Sequence, residues 1–261
     1  MLREIWRYRF FIFSSIKTEF QVRFVRSRLG GLWMILHPLL QVLIFAFILS
    51  AVLSTKLPGI HNRYAYALYL MAGTLSWSLF AEIVNRSVNL FVENGNLLKK
   101  LVFPKMALPL IVTGSALINN VLLLMAVLVI FGLLGHWPGV AMIWLPVLMA
   151  INIALALGLG LILGVLNVFI RDISQAVPIV MQFLFWFTPI VYMANIIPEH
   201  YRHWLFLNPI APIVMGYQTI LLYNDVPNWL ALGGVLLLTG ILLWFALLLF
   251  RKASPEMVDL L

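Results

Sequence analysis

The chain has 261 residues, of which 63% are hydrophobic and only 10% charged, with a net charge of +8 and a mean hydropathy of +1.03. This excludes an ordinary water-soluble globule, which carries roughly a quarter charged residues, and points to an all-α integral membrane protein. The absence of cysteine excludes disulfides, thiolate metal sites and cysteine nucleophiles.

The first thirty residues place Trp6, Phe10 and Phe13 at i, i+4 and i+7, with Arg3 and Arg7 on another face. That is the pattern of an amphipathic helix lying in the headgroup layer. The apolar run that follows is too long for a signal-peptide core and lacks a small-residue cleavage site, so no cleaved leader is expected.

Apolar runs long enough to cross a hydrocarbon core of ~30 Å predict six spans: Trp33 to Leu53, Tyr66 to Val84, Ala107 to Leu134, Ile143 to Phe169, Ala176 to Met193 and Trp229 to Phe250. A further run, Trp204 to Tyr223, is broken by Asn208-Pro209 and Pro212 and reads as a re-entrant pair of short helices. The expected organisation is a single domain over 1–261. It comprises an interface region (1–30), a six-span bundle (31–250) and a cytoplasmic tail (251–261).

Six spans put Arg3, Arg7, Arg9, Lys17, Arg23, Arg26, Arg28, Arg86, Lys99, Lys100, Lys105, Arg171, Arg251 and Lys252 on one side and only Lys56, Arg63 and Arg202 on the other. The positive-inside rule then places both termini in the cytoplasm. The net charge reads as topology, and nucleic-acid binding is not expected.

On the first span Trp33, His37, Gln41 and Phe45 fall at four-residue steps. This stripe mixes aromatic and hydrogen-bonding groups and suits either a sugar conduit or plain helix packing. In the second, Glu82 and Arg86 are spaced i, i+4 for an ion pair. Asn119, Asn120, Asn152, Asn167 and Gln182 should face other helices or a cavity, and Gly160 with Gly164 form a close-packing step.

Between the second and third spans, NLLKKLVFPK runs from Asn96 to Lys105. Helical spacing puts Leu97, Leu98, Leu101 and Val102 on one face, with Phe103 projecting between Lys99 and Lys100 before Pro104 ends the turn. An aromatic on a polar face suits docking to a partner; the segment also fits an ordinary basic inner loop. Towards the far end of the chain, Tyr201, Trp204, Asn208, Pro209 and Tyr217 fall in a proline- and aromatic-rich stretch suited to an exit gate.

The chain has no phosphate-binding loop of the Gly-x-x-x-x-Gly-Lys-Ser/Thr type, and its nine acidic residues show no metal-ligand or paired acid-base cluster. No catalytic residue and no metal site are expected, and energy should come from another subunit. A lone ion-coupled flippase and a membrane-embedded glycosyltransferase component are the rival classes.

Six segments carry a resemblance: RFVRSRLGGLWMILHPLLQ (Arg23 to Gln41), AGTLSWSLF (Ala72 to Phe80), ENGNLLKKLVFPKMALP (Glu93 to Pro109), NVFIRDISQ (Asn167 to Gln175), FTPIVY (Phe187 to Tyr192) and LNPIAPIVMGYQTILL (Leu207 to Leu222). With them in this order, the chain resembles the transmembrane permease subunit of bacterial ABC-type polysaccharide exporters. O-antigen exporters are nearest, with capsule and teichoic-acid exporters as relatives.

The resemblance implies a homodimer in the bacterial inner membrane above a dimer of cytoplasmic ATPase subunits, which bind the ATP and Mg. The cargo implied is a polyprenyl-diphosphate-linked polysaccharide. It further implies that the segment from Asn96 to Pro104 couples to the ATPase, that Arg171 and Asp172 are a second contact, and that gate helices lie between about Ile197 and Tyr223. Arg23, Arg26 and Arg28 suit the lipid diphosphate by charge, and equally satisfy the topology rule. Where the family frequently carries an arginine after the Asn-Pro of the gate segment, this chain has Gln218.

Overall fold

A computed structural model of the chain describes residues 6–24, 32–53, 64–100, 105–198, 200, 205 and 207–260. Every regular element among them is helical. In chain order these are α1 (Arg9–Phe24), α2 (Leu32–Leu53), α3 (Ala65–Glu93), α4 (Gly95–Lys100) and α5 (Ala107–Leu133). A 3-10 turn (Val140–Trp144) then leads into α6 (Leu145–Phe169), which is followed by α7 (Ile173–Trp186) and a second 3-10 turn (Ala194–Ile196). The chain continues through α8 (Ile210–Gln218), a π-helical turn (Thr219–Tyr223) and α9 (Trp229–Leu260).

Among the described residues four helices are long and apolar enough to cross a membrane: Ala65–Glu93, Ala107–Leu133, Val140–Phe169 and Trp229–Met257. Of these α3 is the axis, with 67% of its apolar window buried against 22% for α9. The more exposed α9, which packs on α6, turns Leu230, Leu237, Ile241 and Trp244 outward, as a helix facing an apolar medium does.

The second span is expected from sequence to stop at Val84, but α3 continues to Glu93. Glu82 and Arg86 pair at 3.4 Å along the helix, so the charges there decorate a continuing helix and do not break it. α3 ends at Asn94, whose side-chain amide donates back to the Leu90 carbonyl at 2.8 Å.

Four asparagines from two helices clamp α3. Asn119 and Asn120 of α5 donate to Glu82 Oε1 (2.7 Å) and the Leu75 carbonyl (2.8 Å). Asn152 and Asn167 of α6 donate to the carbonyls of Ser76 (2.8 Å) and Val88 (3.0 Å). The amide donor of each thereby joins two helices.

The close-packing step forms between α6 and α3. A Cβ on Gly160 would lie 2.7 Å from the Ser87 Cβ, and one on Gly164 would strike the Ser87 carbonyl oxygen.

The fifth apolar run departs most from expectation. Read as a span from Ala176 to Met193, it folds as α7, which ends at Trp186 after 14 residues. That is about 21 Å of helix at 1.5 Å per residue, short of a ~30 Å core. Proline disfavours helix at the residue before it, here Thr188 of Thr188-Pro189, and the chain turns.

Backbone freed in apolar surroundings must be satisfied by protein. Tyr66 donates to the Val191 carbonyl (2.6 Å), Tyr69 to those of Pro189 (3.0 Å) and Tyr192 (3.1 Å), and Gln218 to Pro189 (2.9 Å).

The apolar run from Trp204 yields one α-helix among the described residues, α8, where a pair is expected from sequence. Asn208 starts it, accepting from the Ile210 amide at 3.2 Å while donating to the Thr188 hydroxyl at 2.9 Å. Pro212 falls in the first turn of α8, where a missing N–H costs little. At the other end of the chain, the expected tail from Arg251 continues α9 as helix through Leu260.

Candidate functional site

The segment singled out between spans folds as α4, starting at Gly95. Leu98 is buried and Leu97 half-buried, while Lys99 is exposed. Leu98 belongs to one apolar cluster with Phe91 of α3, Leu108 of α5 and Phe250 and Met257 of α9. Lys100 closes the helix; its side chain, and all of Leu101 and Phe103, lie outside the described residues. The face that remains open therefore carries Asn96 and Lys99.

Lys105 resumes the described chain. Its ammonium donates to the Ser254 carbonyl (2.6 Å) and hydroxyl (2.9 Å) on α9. Burial lowers its pKa below the ordinary lysine value.

Arg171 and Asp172 are exposed in the turn before α7. The turn is fixed by the Ser174 hydroxyl, which donates to the Arg171 carbonyl (2.8 Å), and by the Ser174 amide, which donates to Asn167 Oδ1 (3.1 Å). Since Asn167 also donates to Val88, this exposed turn and α4 are both fastened to the same end of α3.

The N-terminal helix packs on that end too, by a face the sequence pattern did not single out. Trp6, Phe10 and Phe13 are each at least 70% exposed, and the contact to α5 is made by Ile12 and Ile16, which are buried. Gly114 makes room for Ile16, since a Cβ there would strike its Cδ1. The outward aromatics hold Arg9, whose guanidinium stacks 4.9 Å from the Trp6 ring and 4.5 Å from Phe10.

Glu19 of α1 pairs with Arg86, which also bonds Glu82, and accepts from the Ser115 hydroxyl at 3.2 Å. Beside this cluster is a cleft of 560 Å³ lined by Phe11, Ser15, Glu19, Asn85, Arg86 and Asn89, among others. Arg23 lies in the last turn of α1 with its side chain undescribed, and Arg26 and Arg28 are outside the described residues.

The stripe on α2 is distributed over two further clefts. Trp33 and His37 line one of 380 Å³ with Glu82, Asn85, Asn119 and Asn120. Gln41 lines another of 290 Å³ with Trp77, Asn85, Gln182, Phe185 and Trp186. Asn85 borders all three clefts, so they follow one polar side of α3. Phe45 is helical, with its side chain undescribed.

Of the residues assigned to an exit gate, Asn208 and Pro209 start α8, and Tyr201 and Trp204 lie outside the described residues. Tyr217 is fully buried in the main core. Its hydroxyl sits beside Asn152 without meeting ordinary hydrogen-bond geometry, so it is a core residue and not part of an exposed aromatic cap.

Residues 11–222, from the first turn of α1 to the π-helical turn, match the family described as ABC-2 type transporter. The chain belongs to that family. It is a multi-pass membrane protein of the ABC-2 type, with α3, α5, α6 and α9 long enough to span.

Among its relatives is the O-antigen export system permease protein RfbA of Myxococcus xanthus. That protein is 28% identical over 261 residues, covering 99% of this chain and 98% of the relative. The protein of the same description from Klebsiella pneumoniae is 28% identical over 93% of this chain and 92% of its own length. The polysialic acid transport protein KpsM of Escherichia coli is 24% identical over 92% of both.

Several of the pairings described above carry no signal in the sequence. Glu19 lies 67 residues from Arg86, and Lys105 lies 149 from Ser254. Tyr66 and Tyr69 bond backbone carbonyls, which leave no trace in side-chain chemistry.

Proposed function

We propose that this chain is the permease subunit of an ATP-driven exporter that carries a polyprenyl-diphosphate-linked polysaccharide, an O-antigen, from the cytoplasm to the periplasm. Two copies form the channel in the bacterial inner membrane, and an ATPase dimer that binds ATP and Mg docks beneath. In this reading α2, α3, α5, α6, α7 and α9 are six spans, α7 completed by the turn after it, and both termini are cytoplasmic.

The observation that carries the reading is the end-to-end likeness to O-antigen export permeases, covering 98% of one relative. Two features of the fold support it. Lys99 of α4 and the Arg171-Asp172 turn are exposed yet fastened to one end of α3, as an ATPase contact would need. The three clefts along α3 carry amides, carboxylates and indoles, the groups that hydrogen-bond and stack on sugars.

In the mechanism, closure of the ATPase pushes on Leu97 to Phe103, and α3 passes the motion to the helices its asparagine bonds hold. The glycan moves along the side bearing Trp33, His37, Gln41 and Phe45. Its lipid diphosphate enters near Arg23, Arg26 and Arg28, and it leaves past Tyr201, Trp204, Asn208 and Pro209.

The test is to replace Phe103 with Ala and Lys99 and Lys100 with Glu, then measure co-purification with the ATPase encoded beside the gene and surface O-antigen. Loss of both is expected; undiminished association and export would sink the proposal. The likeness to the polysialic acid transport protein favours one second reading, a capsule exporter. Restoring surface capsule but not O-antigen in permease-null hosts would select it.

A further inference from the structure

The last helix does not stop where its membrane-length apolar run stops. Beyond Phe250, α9 continues for three turns to Leu260, and its Ala253 and Met257 are buried, the latter 1% exposed. They pack into the cluster that holds Leu98 of α4, while the Phe250 ring lies 5.8 Å from Phe91 at the end of α3. α4 is therefore gripped from two sides.

Lys105 closes the grip. It ends the interruption that begins at Asn96 in α4, and its ammonium reaches both oxygens of one residue, Ser254. The neighbouring Pro255 lacks an N–H, so α9 loses one rung of its own ladder at this turn and is locally weaker there. A three-donor cation placed there braces the turn.

We propose that the Lys105–Ser254 contact is a strut that makes the extension of α9 part of the force-transmitting platform. Motion imposed on α4 then moves α3 and α9 together, with α6 packed against both. Lys105 is a positioning residue in this scheme, tying α9 to the start of α5 beside the apolar cluster that holds Leu98 of α4, without touching cargo or nucleotide. The inference rests on the ATPase-coupled reading above and adds which helices the motor moves.

The test uses the full permease with its ATPase in proteoliposomes. Lys105→Met keeps the length and removes the donors. It is expected to co-purify with the ATPase and hydrolyse ATP, while glycan exported per ATP falls about tenfold. Lys105→Arg, which keeps charge and donors, should retain most export. Native export per ATP in Lys105→Met overturns the strut, and so does loss of ATPase association, which would make Lys105 a docking contact.

Should Lys105→Met fail to fold, Lys105→Cys with Ser254→Cys in this cysteine-free chain replaces it. The pair is bridged by a short reversible bis-methanethiosulfonate, because a lysine's reach exceeds a disulfide's. Export restored on bridging and lost on reduction is expected; bridging without restoration overturns the proposal. Failure of the native chain to bind the ATPase or export would remove the coupled reading itself, whereas a defect or its absence confined to these variants speaks to the strut alone.

Discussion

Arg86 of α3 pairs with Glu19 of α1, and the same guanidinium bonds Glu82 one turn back on its own helix. The three groups are about a quarter exposed, so the cluster is neither fully screened nor fully desolvated.

Removing the cation should cost more than removing one anion. Arg86→Met leaves two carboxylates facing the space it filled, and a loss of about 1–3 kcal/mol is expected. Glu19→Gln should lose less, and adding Glu82→Gln to Arg86→Met should recover part of the loss. Thermal unfolding in detergent measures all three, and equal losses for Arg86→Met and Glu19→Gln would refute the arrangement.

The two glycines of α6 should respond differently to the same change. Gly160→Ala meets the Ser87 side chain and Gly164→Ala meets the Ser87 backbone oxygen. Both are expected to lose about 1–3 kcal/mol by overpacking. Ser87→Gly should relieve the first and leave the second unrelieved, which a double-mutant comparison of folded yield and melting temperature resolves.

The two kinds of residue on α4 separate stability from coupling. Leu98→Ala should destabilise the protein by about 2–5 kcal/mol, because Leu98 is buried in an apolar cluster shared with α3, α5, α6 and α9. Lys99→Glu should leave the melting temperature unchanged and weaken ATPase association. A Lys99→Glu protein that melts early would show that the exposed face also serves the fold.

Lys105 gives a pH test with a definite sign. Burial lowers its pKa in the fold, so the unfolded chain binds this proton more tightly. Stability therefore rises with pH through the window between the lowered folded value and the ordinary 10.5. Lys105→Met should flatten that rise in alkaline melting curves; an unchanged slope would contradict it.

Much of the scaffold was legible because helix in an apolar medium is written as long apolar runs. α2, α5 and α6 begin and end within a few residues of the expected positions. The short helix at α4 was legible because Pro104 and the lysines interrupt two such runs. The unforeseen features are those in which distant segments decide. Ile12 and Ile16, not the aromatics, face the bundle because Gly114 on α5 leaves room there. Pro189 in FTPIVY hints at the turn after α7, but that the freed backbone is satisfied by Tyr66, Tyr69 and Gln218 is not written in any local pattern. Tyr217 looks like an interfacial aromatic until α8 is seen to bury it.

Three of the four asparagines that hold α3 donate to its main chain, at Leu75, Ser76 and Val88. Every residue type offers the same carbonyl, so recognition at these points is specified on the donor's side alone. Homologues can drift in side chain at the acceptor positions without losing the bonds, while no other residue of asparagine's shape supplies the donor that α5 and α6 present. Substitution tolerance should therefore be lopsided across one interface, with permissive positions on the most buried of the four membrane-length helices facing intolerant ones on its neighbours.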